Sequence, residues 1–179
     1  QWYYNSGHPI IDVSYDYNTI QGKVTVNLLQ LNSNEFSFPF TIDIFEGGKR
    51  IRHRVFVKGK DASFTFSYSK LPSLIQVNAD GVLLCEINEN KILSDYIFQL
   101  KNAQHYTHRR EALLAVSKKQ EEKIAFNAVS YAMNDPSYKM RILALEKIDL
   151  INKFSKKNTI QKIKEIANSD EKTLVKAVA

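Results

Sequence analysis

Four histidines, one cysteine and a row of alternating arginines are the residues from which this chain could build chemistry. His105 and His108 are three apart, so a helix would bring both imidazoles to one face. A zinc site needs three or four ligands, and no carboxylate at a supporting spacing completes that pair. No histidine is followed by the Glu of a His-Glu-x-x-His zinc helix, and His8 and His53 stand alone. Cys85 has no histidine patterned to it and reads as a buried strand thiol. As a single cysteine it also excludes an internal disulfide and a cysteine-based zinc cage. Arg50, Arg52 and Arg54 share one face of a strand, and Lys49 and Lys58 extend the stripe. Such a stripe can meet phosphates. Phe56 is its one exposed aromatic, where single-strand binding wants a stacking platform, so a solvated or domain-contacting face is the favoured reading. No Gly-rich phosphate loop, nucleophile elbow or kinase signature is present. The residues alone give no catalytic, cofactor-binding or metal site.

The elements that would position these residues fall into two unlike sets. At 179 residues, 44% hydrophobic and 25% charged, the chain has globular composition, which sets aside disorder and collagen-like repeats. Its longest uncharged run, Val24 to Asn34, is short of the roughly 18 apolar residues of a membrane helix. Residues 1–90 hold all six glycines, three of the four prolines and 13 of the 20 aromatics, with a net charge of −1. Residues 91–179 hold no glycine and carry +7. Such a shift marks a change of structural class near residue 90.

The first half alternates apolar and polar residues. Ile11, Val13, Tyr15 and Tyr17 make one such run, followed by Val24–Leu28, Phe40–Ile44, Ile51–Val57, Phe64–Tyr68, Ile75–Val77 and the short apolar run Val82–Cys85. Turn residues such as Gly47-Gly48 and Asp80-Gly81 separate them. Seven short strands predict an antiparallel, Ig-like β-sandwich. The second half has helical spacing: Tyr96, Ile97 and Leu100 after a Ser94 cap; then Ala112, Leu113 and Val116. Ser117 to Gln120 fits a capping box, Asp135-Pro136 a helix start, Asn158 and Ser169 two further starts. Tyr106-x-x-Arg109-x-x-Ala112-Leu113 recurs as Tyr138-x-x-Arg141-x-x-Ala144-Leu145, and in degraded form as Thr173-x-x-Lys176-x-x-Ala179. Spacings of 32 and 35 residues predict stacked helical hairpins of the HEAT-like type, an α-superhelix. The fold class is thus an α+β multidomain fragment: residues 1–90 a sandwich, residues 91–179 a helical repeat.

A resemblance extends this reading. The opening Gln1-Trp2-Tyr3-Tyr4-Asn5-Ser6-Gly7-His8-Pro9, then Asp16-Tyr17-Asn18, resembles the junction after the catalytic domain of the zinc aminopeptidase N (alanyl aminopeptidase) family. Phe38-Pro39-Phe40-Thr41-Ile42-Asp43-Ile44-Phe45 is similar to that family's next strand. Asn102-Ala103, Tyr106, Arg109, Arg110, Glu111 and Ala112 are similar to its first C-terminal helices. The likeness runs from residue 1 to about residue 116. It implies a non-catalytic sandwich spacer and the start of a helical cap, with the helical part cut short at its C-terminal end. It implies zinc only in the parent's catalytic domain, since the Gly-Ala-Met-Glu-Asn loop and the zinc helix are missing here. The implied partners are that catalytic domain and peptide substrates, with no nucleic acid and no membrane segment. Compartment stays open between cytoplasm and periplasm. The rivals are a free-standing protein-interaction module and, further off, a nucleic-acid binder.

Overall fold

The structure is a computed structural model that describes residues 7–155 and 157–179. Gln1–Ser6, which open the aminopeptidase-like motif, lie outside the described residues. The architecture is mixed α/β, with two sheets and six helices among the described residues, divided into two compact units, Gln1–Lys91 and Ile92–Ala179.

The first unit is built from β1 (Ile10–Asn18), β2 (Lys23–Gln30), β3 (Phe38–Glu46), β4 (Lys49–Val57), β5 (Asp61–Ser67), β6 (Leu74–Val77) and β7 (Glu86–Glu89). Four strands form one sheet in the order β5-β2-β1-β7, and three form the other in the order β4-β3-β6. The period-two residues face inward as two packed layers. Ile11, Val13, Val24, Val26 and Leu28 meet Phe38, Phe40, Ile42, Ile44, Ile75 and Val77 in a single core. Gly22 sits at φ +60, and a Cβ there would lie 2.8 Å from the Tyr68 carbonyl, so the β1–β2 turn requires glycine.

Two expectations are corrected here. The sandwich is not wholly antiparallel: β7 runs parallel to β1, with Ile10 opposite Glu86 and Val13 opposite Glu89. Five intervening strands carry the chain back to the same end before it pairs again. Side chains latch this pair: His8 to Glu86 at 2.7 Å, Asn88 to Asp12 at 2.9 Å, and the Tyr15 hydroxyl to Glu89 at 2.5 Å. The run Val82–Cys85 is also not a strand. Asn78, at φ +47, donates its amide to the Leu83 carbonyl at 2.9 Å and accepts the Leu83 N–H at 3.2 Å. Those are the two backbone groups a strand would give to a neighbour.

The second unit comprises α1 (Leu93–Asn102), α2 (Tyr106–Ser117), α3 (Lys123–Ala132), α4 (Tyr138–Lys147), α5 (Lys157–Ser169) and α6 (Thr173–Val178). Helices adjacent in sequence pack on one another, α1 on α2, α2 on α3, α3 on α4 and α5 on α6, while α2, α4 and α6 pack in a row. Ala112, Ala128 and Ala144 are buried at the crossings, and Leu113, Phe126, Val129, Met133, Met140 and Val175 fill the space between. None of the helices among the described residues is long and apolar enough to cross a membrane.

Four expected helix starts are displaced, Asp135-Pro136 among them, since α4 begins only after Ser137. The N-cap of α1 is Ile92, whose N–H is taken by the Asp95 carboxylate at 3.0 Å, and not Ser94. Ser117 ends α2, and α3 begins only at Lys123, because Gln120 turns inward to pin loops instead of capping. Its amide donates to the Lys147 carbonyl at 2.7 Å and accepts the Asp149 N–H at 3.0 Å. Ser169 closes α5, and α6 starts at Thr173.

Gln30 does for the sandwich what Gln120 does for the helices. It is 1% exposed, donates to the carbonyls of Phe36 and Gly59 at 2.8 Å each, and accepts the Phe36 N–H at 3.0 Å. Replacing it with Leu strands those backbone groups in the interior, at a cost of about 1–3 kcal/mol for each group left unpaired. Gln30→Leu is therefore expected to lower the urea midpoint of the first unit sharply, read by near-ultraviolet circular dichroism. Leu29→Gln, at an exposed neighbouring position, should change it little.

Candidate functional site

The sequence-derived chemical residues do not converge. His105 and His108 sit at the start of α2 with ring centroids 6.2 Å apart, but His108 is buried and its carbonyl accepts the Gln99 amide. His8 is held by Glu86, and His53 packs on the Phe66 ring at 4.3 Å. No group of three metal-ligating side chains occurs among the described residues. Cys85 is half-buried, the Asn78 amide lies 3.6 Å from its sulfur, and burial pushes its thiol up to about 11.

The arginine stripe is placed as expected on one face of β4, and part of its charge is already committed. Arg52 makes a bidentate pair with Asp43 on β3, at 2.7 and 2.8 Å, and reaches the Ala79 carbonyl at 3.4 Å. Asp43 is 2% exposed, so this is a desolvated ion pair. Arg50 approaches the same carboxylate at 3.8 Å, and hydrogen bonding to Asp43 raises Arg52 above the ordinary arginine range. Arg54 makes no ion pair with a carboxylate among the described residues and lines a cavity of about 420 Å³ with Pro39, Phe40, Asp80, Val82 and Leu84.

The helical unit carries a second ordered set, which the sequence showed only as a spacing. Arg109 on α2 clasps Asp135 at 2.8 and 3.2 Å, and its remaining nitrogen binds the carbonyls of Ala103 and Gln104. Arg141 on α4 clasps Asp170 at 2.8 Å twice, and binds the carbonyls of Asp135 and Pro136. Each guanidinium thus ties the loop before its own helix to the loop before the next helix of the α2, α4, α6 row. Asp135 and Asp170 each also accept the N–H two residues on, from Ser137 and Lys172. That duty explains why Asp135 is not itself the cap: α4 begins after Ser137. At the third repeat position Lys176 reaches only the Asn168 carbonyl, at 3.1 Å. The signal that could have found the acidic partners was Asp135 and Asp170, 26 and 29 residues after their arginines.

No family model matches the chain, and no curated protein matches it in sequence. Among solved structures it is similar to Legionella pneumophila aminopeptidase A, crystallised in complex with aspartic acid. The TM-score is 0.66 at 15% sequence identity, over 97% of this chain and 23% of that one. At that identity the likeness shows a shared, aminopeptidase-like fold, and the chain spans about a quarter of the solved protein's length.

These geometries set two expected outcomes. Arg141→Ala leaves the Asp170 carboxylate unpaired in a protected site and is expected to destabilise the second unit by about 3 kcal/mol in urea titration at 222 nm. Arg141→Lys should recover little of this, because an ammonium cannot reproduce the fork. Hydrogen bonds from Arg141 hold the Asp170 carboxyl below its ordinary value of 3.8. Its contribution is therefore complete above pH about 4 and is lost as pH falls through the lower folded value. Asp170→Asn should weaken the unit at neutral pH and flatten its acid loss. Separately, Cys85 should react with iodoacetamide at pH 8 about a hundredfold more slowly than a free thiol, and accelerate as pH nears 11.

Proposed function

We propose that this chain is a non-catalytic, post-catalytic segment of a zinc aminopeptidase of the aminopeptidase N type. The sandwich serves as a spacer against the catalytic domain, and the helices begin a HEAT-like cap that limits access of peptide amino termini. The observation that carries the reading is likeness in fold to one aminopeptidase over 97% of the chain. The Gly7-His8-Pro9 lead into β1 and the Tyr106–Ala112 signature at the start of α2 support it independently. The HEAT-like reading rests on the packed row of α2, α4 and α6 and on the repeated arginine clasp. Zinc, in this reading, belongs to the parent's catalytic domain and to no residue here.

The test is made on the full coding region. It is expected to encode a His-Glu-x-x-His helix upstream, and the purified full-length product should release aminoacyl arylamides in a chelator-sensitive reaction. The 179-residue chain alone should release none. A coding region without that helix, or turnover by the 179-residue chain with its own bound zinc, overturns the proposal.

A second reading, a protein-interaction module, is favoured by one feature. A groove of about 410 Å³ between α1 and α3 is lined by Ile97, Phe98, Lys101 and Ile124, with Ile124 55% exposed.

A further inference from the structure

β4 is an edge strand nine residues long, and its outer edge is unspent. The direction of its backbone groups is set by β3. Thr41 and Phe45 give their carbonyls to Ala79 and Ser73, on the β6 side. Alternate β3 residues, Phe40, Ile42 and Ile44, therefore face β4, where they sit opposite Val55, His53 and Ile51. The intervening β4 residues, Arg50, Arg52, Arg54 and Phe56, turn their N–H and C=O groups outward. No backbone partner for those four residues occurs on that side among the described residues. Phe56 is 59% exposed and Ile51 42% exposed, so both faces of the edge are open.

We propose that the outer edge of β4 binds an extended, acidic peptide segment by strand addition, with one large apolar side chain seated in the cavity beside Arg54. This goes beyond the aminopeptidase reading and stands or falls separately from it. Four observations select the occupant. Unspent donors and acceptors alternate along the edge, as they do along a peptide backbone, whereas a phosphate strand offers acceptors only. Lys49 to Lys58 carries five cations and no acid; Asp43 engages Arg52 and, more loosely, Arg50, and Asp80, the one acid lining the cavity, makes no ion pair with Arg54, which leaves that guanidinium for a carboxylate from outside. A second copy is disfavoured because edge-to-edge pairing would set arginine against arginine. The cavity of about 420 Å³ lies on the face that carries Arg54, Pro39 and Thr41, so a residue of the added strand with the same parity as its carboxylates points toward it.

The probe is a blocked nine-residue peptide with Glu, Glu and Leu at alternate positions and Thr between them, titrated into the intact chain. The readouts are calorimetry and amide hydrogen exchange. Binding should slow exchange at the amides of Arg50, Arg52, Arg54 and Phe56 and leave those of Ile51, His53 and Val55, already bonded to β3, unchanged. N-methylating the peptide on its edge-facing nitrogens should weaken binding about tenfold or more, without touching the protein. Arg54→Glu should weaken it similarly, and Leu→Ser in the peptide should also cost affinity. Lysine in place of glutamate should abolish binding. The proposal is overturned by any of three results: no binding at about millimolar peptide, equal binding of the N-methylated peptide, or no protection of the four outward amides. An RNA oligonucleotide that binds more tightly and displaces the peptide overturns it in favour of phosphate recognition.

Discussion

The arginine clasp between successive helical pairs is the interaction on which the second unit depends. Helices of 6 to 13 residues are marginal by themselves and depend on the apolar faces they bury against one another. Hydrophobic contact is non-directional and would tolerate sliding. Arg109 and Arg141 remove that freedom, because a planar fork satisfied by a carboxylate and two carbonyls fixes both distance and angle. Asp135 takes part in both rungs: its carboxylate receives Arg109 while its carbonyl receives Arg141. The small residues Ala112 and Ala144, one turn after each arginine, allow the approach that the clasp demands.

The same economy recurs in the loops of both units. Gln30, Asn78 and Gln120 are carboxamides turned inward, each making a donor and an acceptor contact to backbone that no ladder or helix serves. A carboxamide carries both functions at neutral charge, so it can be buried without the desolvation cost of an ion. This is why the polar interior of the sandwich and of the helices is largely amide, while charge is admitted only as tight pairs such as Arg52 with Asp43.

What the sequence made legible was local. Alternation at Val24, Val26 and Leu28, and the helical stripe Ala112, Leu113 and Val116, depend on neighbours a few residues away, and the structure places them inward. What escaped depends on distant partners. β7 has one apolar residue, Ile87, and exists because it lies beside β1, some 76 residues earlier. Val82–Cys85 looked more like a strand than β7 does, yet Asn78 claims its backbone. Gln120 and Asp135 have the residue types of caps and were committed elsewhere by contacts 26 to 29 residues away. On β4 the arginine row was readable from its spacing, but neither the occupation of Arg52 by Asp43 nor the open edge could be read without knowing which strand lay on which side.

The parallel pairing of the first and last strands has a mechanical meaning. The chain enters the sandwich at Ile10 and leaves it at Glu89, and the two strands run side by side in the same direction. Tension applied along the chain therefore pulls β1 and β7 past one another lengthwise. Their bridging bonds, with the His8, Asp12 and Tyr15 latches to Glu86, Asn88 and Glu89, are loaded together instead of being peeled apart one after another. Four residues of pairing make a clamp in shear where the same four in a hairpin would make a zipper. Load passing from the entry strand to the exit strand is therefore met by bonds in shear.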